Sequence, residues 1–323
     1  MRLASVLTPL SDLNLQLAAQ CGVTDIVGRY PGYLGTDLNS KKRRVEAFGM
    51  NLSVIEGYLP IENIKLGIDD GSELKALKTL IQGMGDAGIG ILCYNFMSGT
   101  DWARTRLDAP ERGGAKVTEF RLRDVERSVL LGRDSSSTGQ VATSITAPQL
   151  WENLERLLTE LMPVAESAGV VLAMHPDDPP LESFLGRARI MNSLDNFERL
   201  VHLVPSSANG ICFCQGSFAE MGVDIPSAIR RLGKHIRYVH FRDIRGSLES
   251  FTETFHDNGQ TDMVAAMRAY REIGFTGPLR PDHVPQMVGE DDGEPGYTML
   301  GRLFAFGYMR GLMQATEKDG KEH

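Results

Sequence analysis

Short apolar runs recur along this chain, each followed by a longer stretch with helical periodicity, and that alternation is the signature of repeated strand–helix units. Eight runs read as strands: roughly residues 2 to 7, 25 to 29, 52 to 56, 90 to 95, 170 to 175, 210 to 214, 236 to 241 and 278 to 282. The stretches between them predict helices at 12 to 20, 72 to 87, 148 to 168, 194 to 203, 225 to 232, 261 to 273 and 296 to 314. Gly22, Gly88, Gly169, Gly233 and Gly274 each follow a helical stretch, where a left-handed cap suits a residue without Cβ. Eight strands alternating with helices close a (β/α)8 TIM barrel, so the expected fold is α/β and spans residues 1 to 323 as a single domain.

One stretch breaks the rhythm. Residues 96 to 146 contain Gly113-Gly114, Ser135-Ser-Ser-Thr138 and many charges, with a modest helical signal around 125 to 131. An insertion of that length in a compact fold is usually functional. Because it follows strand four, it reads as a lid over the barrel mouth. A smaller insertion, residues 242 to 259, follows strand seven.

Four strings carry the chemistry: Val170-Val-Leu-Ala-Met-His175, Gly210-Ile-Cys-Phe-Cys214, Ile236-Arg-Tyr-Val-His240 and Gly277-Pro-Leu-Arg-Pro-Asp282. They put His175, Cys214, His240 and Asp282 at the ends of strands five to eight, and barrel active sites form at the carboxyl ends of the strands. Taken singly, each has a plainer role: a hydrogen-bonded histidine, a small core thiol, a turn-opening aspartate. Together they form a mixed N/S/O donor set suited to Mn²⁺, Fe²⁺ or Zn²⁺ rather than Mg²⁺ or Ca²⁺. Cys212 and Cys214 share a strand face, so alternation lets both point inward. Cys214 is chosen as ligand because it ends its strand, and at most one of the two is expected to face the metal.

Composition bounds the rest. A formal charge of −8 works against a phosphate-tracking surface, so nucleic acid is not an expected partner. Four cysteines make no disulfide framework in a chain of 323 residues. No apolar run reaches membrane-spanning length, and the first residues do not read as a signal peptide. A cytoplasmic homo-oligomeric enzyme acting on a small molecule is the expectation.

Around the four strand ends, several longer strings resemble the mannonate dehydratases of hexuronate catabolism: His175-Pro-Asp-Asp-Pro-Pro180, Phe213-Cys214 with Gly216-Ser217, His240-Phe-Arg242, Phe255-His256 with Asn258-Gly259, Arg280-Pro-Asp-His283 with Gln286-Met287, and Pro295-Gly-Tyr297. Cys93-Tyr-Asn-Phe-Met97, Asp101-Trp102 and Ile64-Lys-Leu-Gly67 are similar to further motifs of that family. The resemblance implies a xylose-isomerase-like barrel that dehydrates D-mannonate to 2-keto-3-deoxy-D-gluconate with Mn²⁺ or a similar ion held by His175, Cys214, His240 and Asp282. By the same matching, His283 and Tyr297 fall on the family's acid/base positions. Asp177, Asp178, Arg242, His256, Asn258, Tyr94, Asn95 and Trp102 are the candidate contacts to a sugar acid, with Arg242 as a bidentate carboxylate clamp. A metal-dependent sugar isomerase or epimerase of the same barrel class is the alternative, since both reactions enolise substrate at a metal. A sugar-acid sensor without turnover is a third.

Overall fold

A computed structural model describes the chain apart from residues 31, 33–37, 58, 100, 101, 131–143 and 320–323, and apart from the side chains of 318 and 319. Each apolar run forms a strand: β1 (Arg2–Val6), β2 (Asp25–Arg29), β3 (Asn51–Glu56), β4 (Ile91–Tyr94), β5 (Val171–Met174), β6 (Asn209–Cys214), β7 (Ile236–Phe241) and β8 (Pro278–Pro281). All eight pair in parallel, and β1 closes the barrel against β8 through Arg2 opposite Pro278 and Leu3 opposite Leu279.

The two-residue period of a strand divides each run between two cores. Ala4, Val6, Val27, Val54, Cys93, Ala173, Cys212 and Tyr238 pack together inside the barrel. Their neighbours Leu3, Ile26, Ile55, Leu92, Leu172, Ile211, Phe213, Val239 and Leu279 face outward, under the helices. Burial on both faces is why these strands read as continuous apolar runs rather than alternating ones.

The helix Ala147–Ala168 shows how the outer layer is specified. Its first turn carries a capping box between Thr146 and Gln149. Leu150, Leu154, Leu157, Leu158, Leu161 and Ala165 recur on one face and are buried. Gly169 then stops it in the left-handed region at φ 66°. Helices at Asp12–Gln20, Ser72–Asp86, Leu194–Leu203, Ile225–Leu232, Met263–Glu272 and Met299–Asp319 follow the expected order. No described helix is long and apolar enough to cross a membrane.

Three further helices carry no readable period. Leu38–Glu46 is strongly polar and buries only Val45, Glu62–Leu66 is barely one turn, and Gln215–Glu220 is buried on every side.

Among its described residues the strand-four insertion is sheet rather than helix. Where a helical signal was read around 125 to 131, Leu122–Arg127 is a 3-10 turn and Val129–Leu130 a short strand paired with Ala103–Arg104. Arg106–Pro110 and Lys116–Arg121 form a hairpin, and Lys116–Arg121 pairs on its other side with Ser250–Glu253 of the strand-seven insertion, itself paired with Ile244–Ser247. The two insertions thus make one four-stranded antiparallel sheet. Asp101 and the serine run 135 to 137 lie outside the described residues.

Candidate active site

Successive inward positions on one strand are two residues apart, so the barrel interior is built in layers. Cys212, Tyr238 and Arg280 occupy one layer, and Cys214, His240 and Asp282 stand two residues further along the same strands. The four predicted ligands come together there. His175 Nε2 lies 3.2 Å from His240 Nδ1, His240 Nδ1 lies 3.5 Å from Asp282 Oδ2, and Cys214 Sγ lies 3.9 Å from the same oxygen. Donors bound at roughly 2.0 to 2.3 Å around one ion stand about 3.3 to 3.8 Å apart; here His175, Cys214 and His240 bring one ligand atom each to within 4.8 Å of one another, and Asp282 flanks them through His240 and Cys214.

The outer partners of the imidazoles point the same way. His175 Nδ1 is 2.7 Å from the carbonyl oxygen of Pro176, which assigns it the proton. His240 Nε2 is 3.2 Å from Glu56 Oε2 and donates to it by the same logic. The two remaining nitrogens then face each other at 3.2 Å, close enough for one cation to take both in place of a shared hydrogen. The anionic donors are held charged. Burial would raise the Cys214 thiol, but the Arg242 charge and hydrogen bonds from His175 and His240 bring it well below its ordinary value. Asp282 is likewise depressed against burial, by Arg280, His283 and His240.

Beside this cluster a pocket opens, with about 530 Å³ of empty space including its open mouth. Of the candidate substrate contacts, Tyr94, Asn95, Trp102 and Asp178 line it together with His283 and Tyr297. Tyr94 Oη is buried with no hydrogen-bond partner among the described residues. Asn95 is oriented by Lys65, whose Nζ sits 3.1 Å from Asn Oδ1.

His283 sits at φ 40°, a region L side chains seldom adopt, and such strain clusters at functional positions. Its ring stacks on Trp102 at 3.9 Å between centroids. Its Nδ1 donates to Glu253 Oε1 at 2.5 Å, which leaves Nε2, 3.7 Å from Asp282 Oδ1, on the cavity side. Tyr297 stands 5.6 Å from His283, edge to face, with the Arg29 guanidinium 4.7 Å above its ring. Burial, then the Asp282 charge, raise the Tyr297 phenol above its ordinary value, so it is protonated near neutrality.

Four candidates stand elsewhere. The clamp reading of Arg242 does not fit its position: it is 1% exposed and lies within 2.9 to 3.2 Å of Asp178, Glu220, Ser217 and Asp282, which leaves its donors no route to a substrate carboxylate. Gly216 permits this packing, since a Cβ there would lie 2.2 Å from the guanidinium. Asp177 is buried behind the wall, where its Oδ2 accepts from the Met191 amide at 2.7 Å. His256 is buried beside the Phe241 ring, and desolvation lowers its pKa to about 4. Asn258, in the strand-seven insertion, donates to Glu111 of the strand-four insertion, away from the cavity.

Sequence reasoning missed Arg29, Glu56, Glu253 and Arg280. Arg29 and Glu56 end β2 and β3, so the strand-end rule that selected His175 would have found them. Arg280 shares a strand face with Asp282 and bonds both Asp282 Oδ1, at 2.6 Å, and Glu56 Oε1, at 2.9 Å. Nothing in the sequence marks Glu253, whose partner lies 30 residues away.

The comparisons with known proteins agree with this geometry. The family model described as D-mannonate dehydratase (UxuA) matches residues 10–323. A mannonate dehydratase of Oceanobacillus iheyensis is 35% identical over 299 residues, 87% of this chain and 85% of the relative. The crystal structure of mannonate dehydratase from Streptococcus suis serotype 2 superposes with a TM-score of 0.86 at 30% identity, covering 99% of this chain and 96% of that one. A xylose isomerase domain protein from Planctomyces limnophilus shares the fold alone, with a TM-score of 0.63 at 15% identity over 98% of each chain. The xylose-isomerase-like barrel, the strand-end cluster and these matches place the chain in the D-mannonate dehydratase family.

Proposed function

We propose that this chain dehydrates D-mannonate to 2-keto-3-deoxy-D-gluconate, with a divalent ion, Mn²⁺ or in its place Fe²⁺, held by His175, Cys214, His240 and Asp282. Family membership supports the reaction. The observation that carries the site is the convergence of His175, Cys214 and His240, with the two imidazole nitrogens 3.2 Å apart and the Asp282 carboxylate beside them. Such an ion stabilises the negative charge that gathers on the substrate carboxylate when the C2 proton leaves.

The chain's own groups do the proton transfers. His283, oriented by Glu253, takes the C2 proton on Nε2. Tyr297, protonated in its buried setting, gives its proton to the C3 hydroxyl, which departs as water. The resulting enol ketonises to the 2-keto-3-deoxy acid. Arg29, at the end of β2 and on the cavity wall, takes the carboxylate-recognition role in place of Arg242. Tyr94, Asn95 and Trp102 bound the sugar chain.

Incubation of the Mn²⁺-loaded enzyme with D-mannonate should yield a 2-keto-3-deoxy acid measured by semicarbazide absorbance. An epimer formed without loss of water would overturn the reaction. Cys214→Ala and Asp282→Ala should each lower bound Mn²⁺ measured by ICP and abolish turnover; full occupancy in both would overturn the ligand set. Tyr297→Phe should lose about 10² to 10⁴ in elimination while still exchanging the C2 hydrogen with D₂O. Loss of exchange in Tyr297→Phe but not in His283→Asn would reverse the two roles.

A further inference from the structure

One layer beneath the four strand-end residues, the barrel holds a second donor set. Cys93 on β4, Cys212 on β6 and His240 on β7 bring one ligand atom each to within 4.8 Å of one another, and all three are buried. Three strands contribute, so the cluster comes from barrel closure and not from a local turn. Cys212 points inward because it stands two residues before Cys214, and Ala173 on the intervening β5 leaves the space between the thiols clear of a larger side chain. Cys93 lines the cavity, which gives an ion a route in.

We propose that Cys93, Cys212 and His240 form a second metal site, selective for a thiophilic ion of the Zn²⁺ or Cd²⁺ class. Two sulfur donors and one imidazole suit such ions, whereas Mn²⁺ and Mg²⁺ prefer oxygen-rich sets. His240 belongs to both sets. Its Nε2 now meets Glu56 and its Nδ1 meets His175 and Asp282, so an ion between the two thiols takes one of these nitrogens from its present partner. Taken at Nε2, the ion displaces Glu56 and leaves Nδ1 to the upper set, so one imidazole can serve both sites; the binding does not depend on the reading of the upper set as the catalytic metal site.

The test uses the whole chain, stripped of metal and loaded with Cd²⁺. Cadmium NMR of the wild type should show a resonance in the two-thiolate range, which the upper set with its single thiolate cannot give. Cys214→Ser should keep that resonance. Cys93→Ala should remove it and weaken Cd²⁺ binding about tenfold or more, since even the loss of an outer partner of a ligand costs that much. A single-thiolate resonance indifferent to Cys93→Ala, or no bound cadmium, would overturn the site. Failure of the upper-set reading looks different: Cys214→Ser would leave Mn²⁺ binding unchanged while the two-thiolate resonance persisted. The wild-type spectrum decides the main point even where a variant fails to fold.

Discussion

Glu253 reaches His283 from a hairpin that no barrel strand supplies, and its carboxylate is held ionised there. Burial opposes the charge, but His283, Arg104 and Arg242 outweigh it and keep Glu253 well below its ordinary value. Glu253→Gln keeps an acceptor for Nδ1 but removes the charge. It should lower kcat about 10- to 100-fold with bound Mn²⁺ unchanged by ICP, and a wild-type kcat would show that orientation alone suffices. Arg242 makes the opposite kind of prediction. It sits among the buried carboxylates of Asp178, Glu253 and Asp282, so Arg242→Met should cost roughly 3 to 5 kcal/mol in urea denaturation. A raised KM with unchanged stability would restore the clamp. The difference between these residues explains what the sequence could tell. His175, Cys214, His240 and Asp282 were legible because each ends an apolar run, whereas the burial of Arg242 depends on Gly216 and Glu220, which reach it only through the turn after β6.

At the scale of elements, the barrel strands were legible to within a residue or two because burial on both faces writes them as apolar runs, several of them preceded by a helix-ending glycine. The four-stranded sheet of the insertions was not. In Lys116–Arg121, Thr118 and Glu119 are as buried as Val117 and Phe120, since Thr118 bonds Arg104 and Glu253 while Glu119 bonds Arg121. Polar residues satisfied by distant partners erase the alternation that marks a strand. This sheet is what aims Glu253: Phe251 and Glu253 share its buried face, and Phe251 stacks on Phe120 at 5.5 Å. Phe251→Ala should cost about 3 to 5 kcal/mol and also lower kcat at temperatures where the variant is fully folded. Retained kcat in the folded variant would separate the sheet from the chemistry.

At the scale of the whole molecule, the barrel mouth gathers buried negative groups: Glu56, Asp178, Glu253 and Asp282, with the Cys214 thiolate. Burial and the charge of Asp178 raise Glu220 well above its ordinary value, so it keeps its proton. A dication bound among these groups adds positive charge where they crowd together. Chelation should therefore lower Tm, and Mn²⁺ at about a thousand times its Kd should return roughly 4 kcal/mol, measured by calorimetry. An apo protein with the Tm of the loaded one would refute that stabilisation.

The pairing of the two insertions also sets an order of events in the cell. Lys116–Arg121 acquires one neighbour at once, from Arg106–Pro110, but its other edge waits for Ser250–Glu253. At ribosomal speeds those residues follow about 130 positions later, a delay on the order of 10 s during which a bare strand edge is exposed. The nascent chain is thus most open to chaperone capture, or to pairing with a neighbouring nascent chain, in the interval just before His283 gains its carboxylate partner.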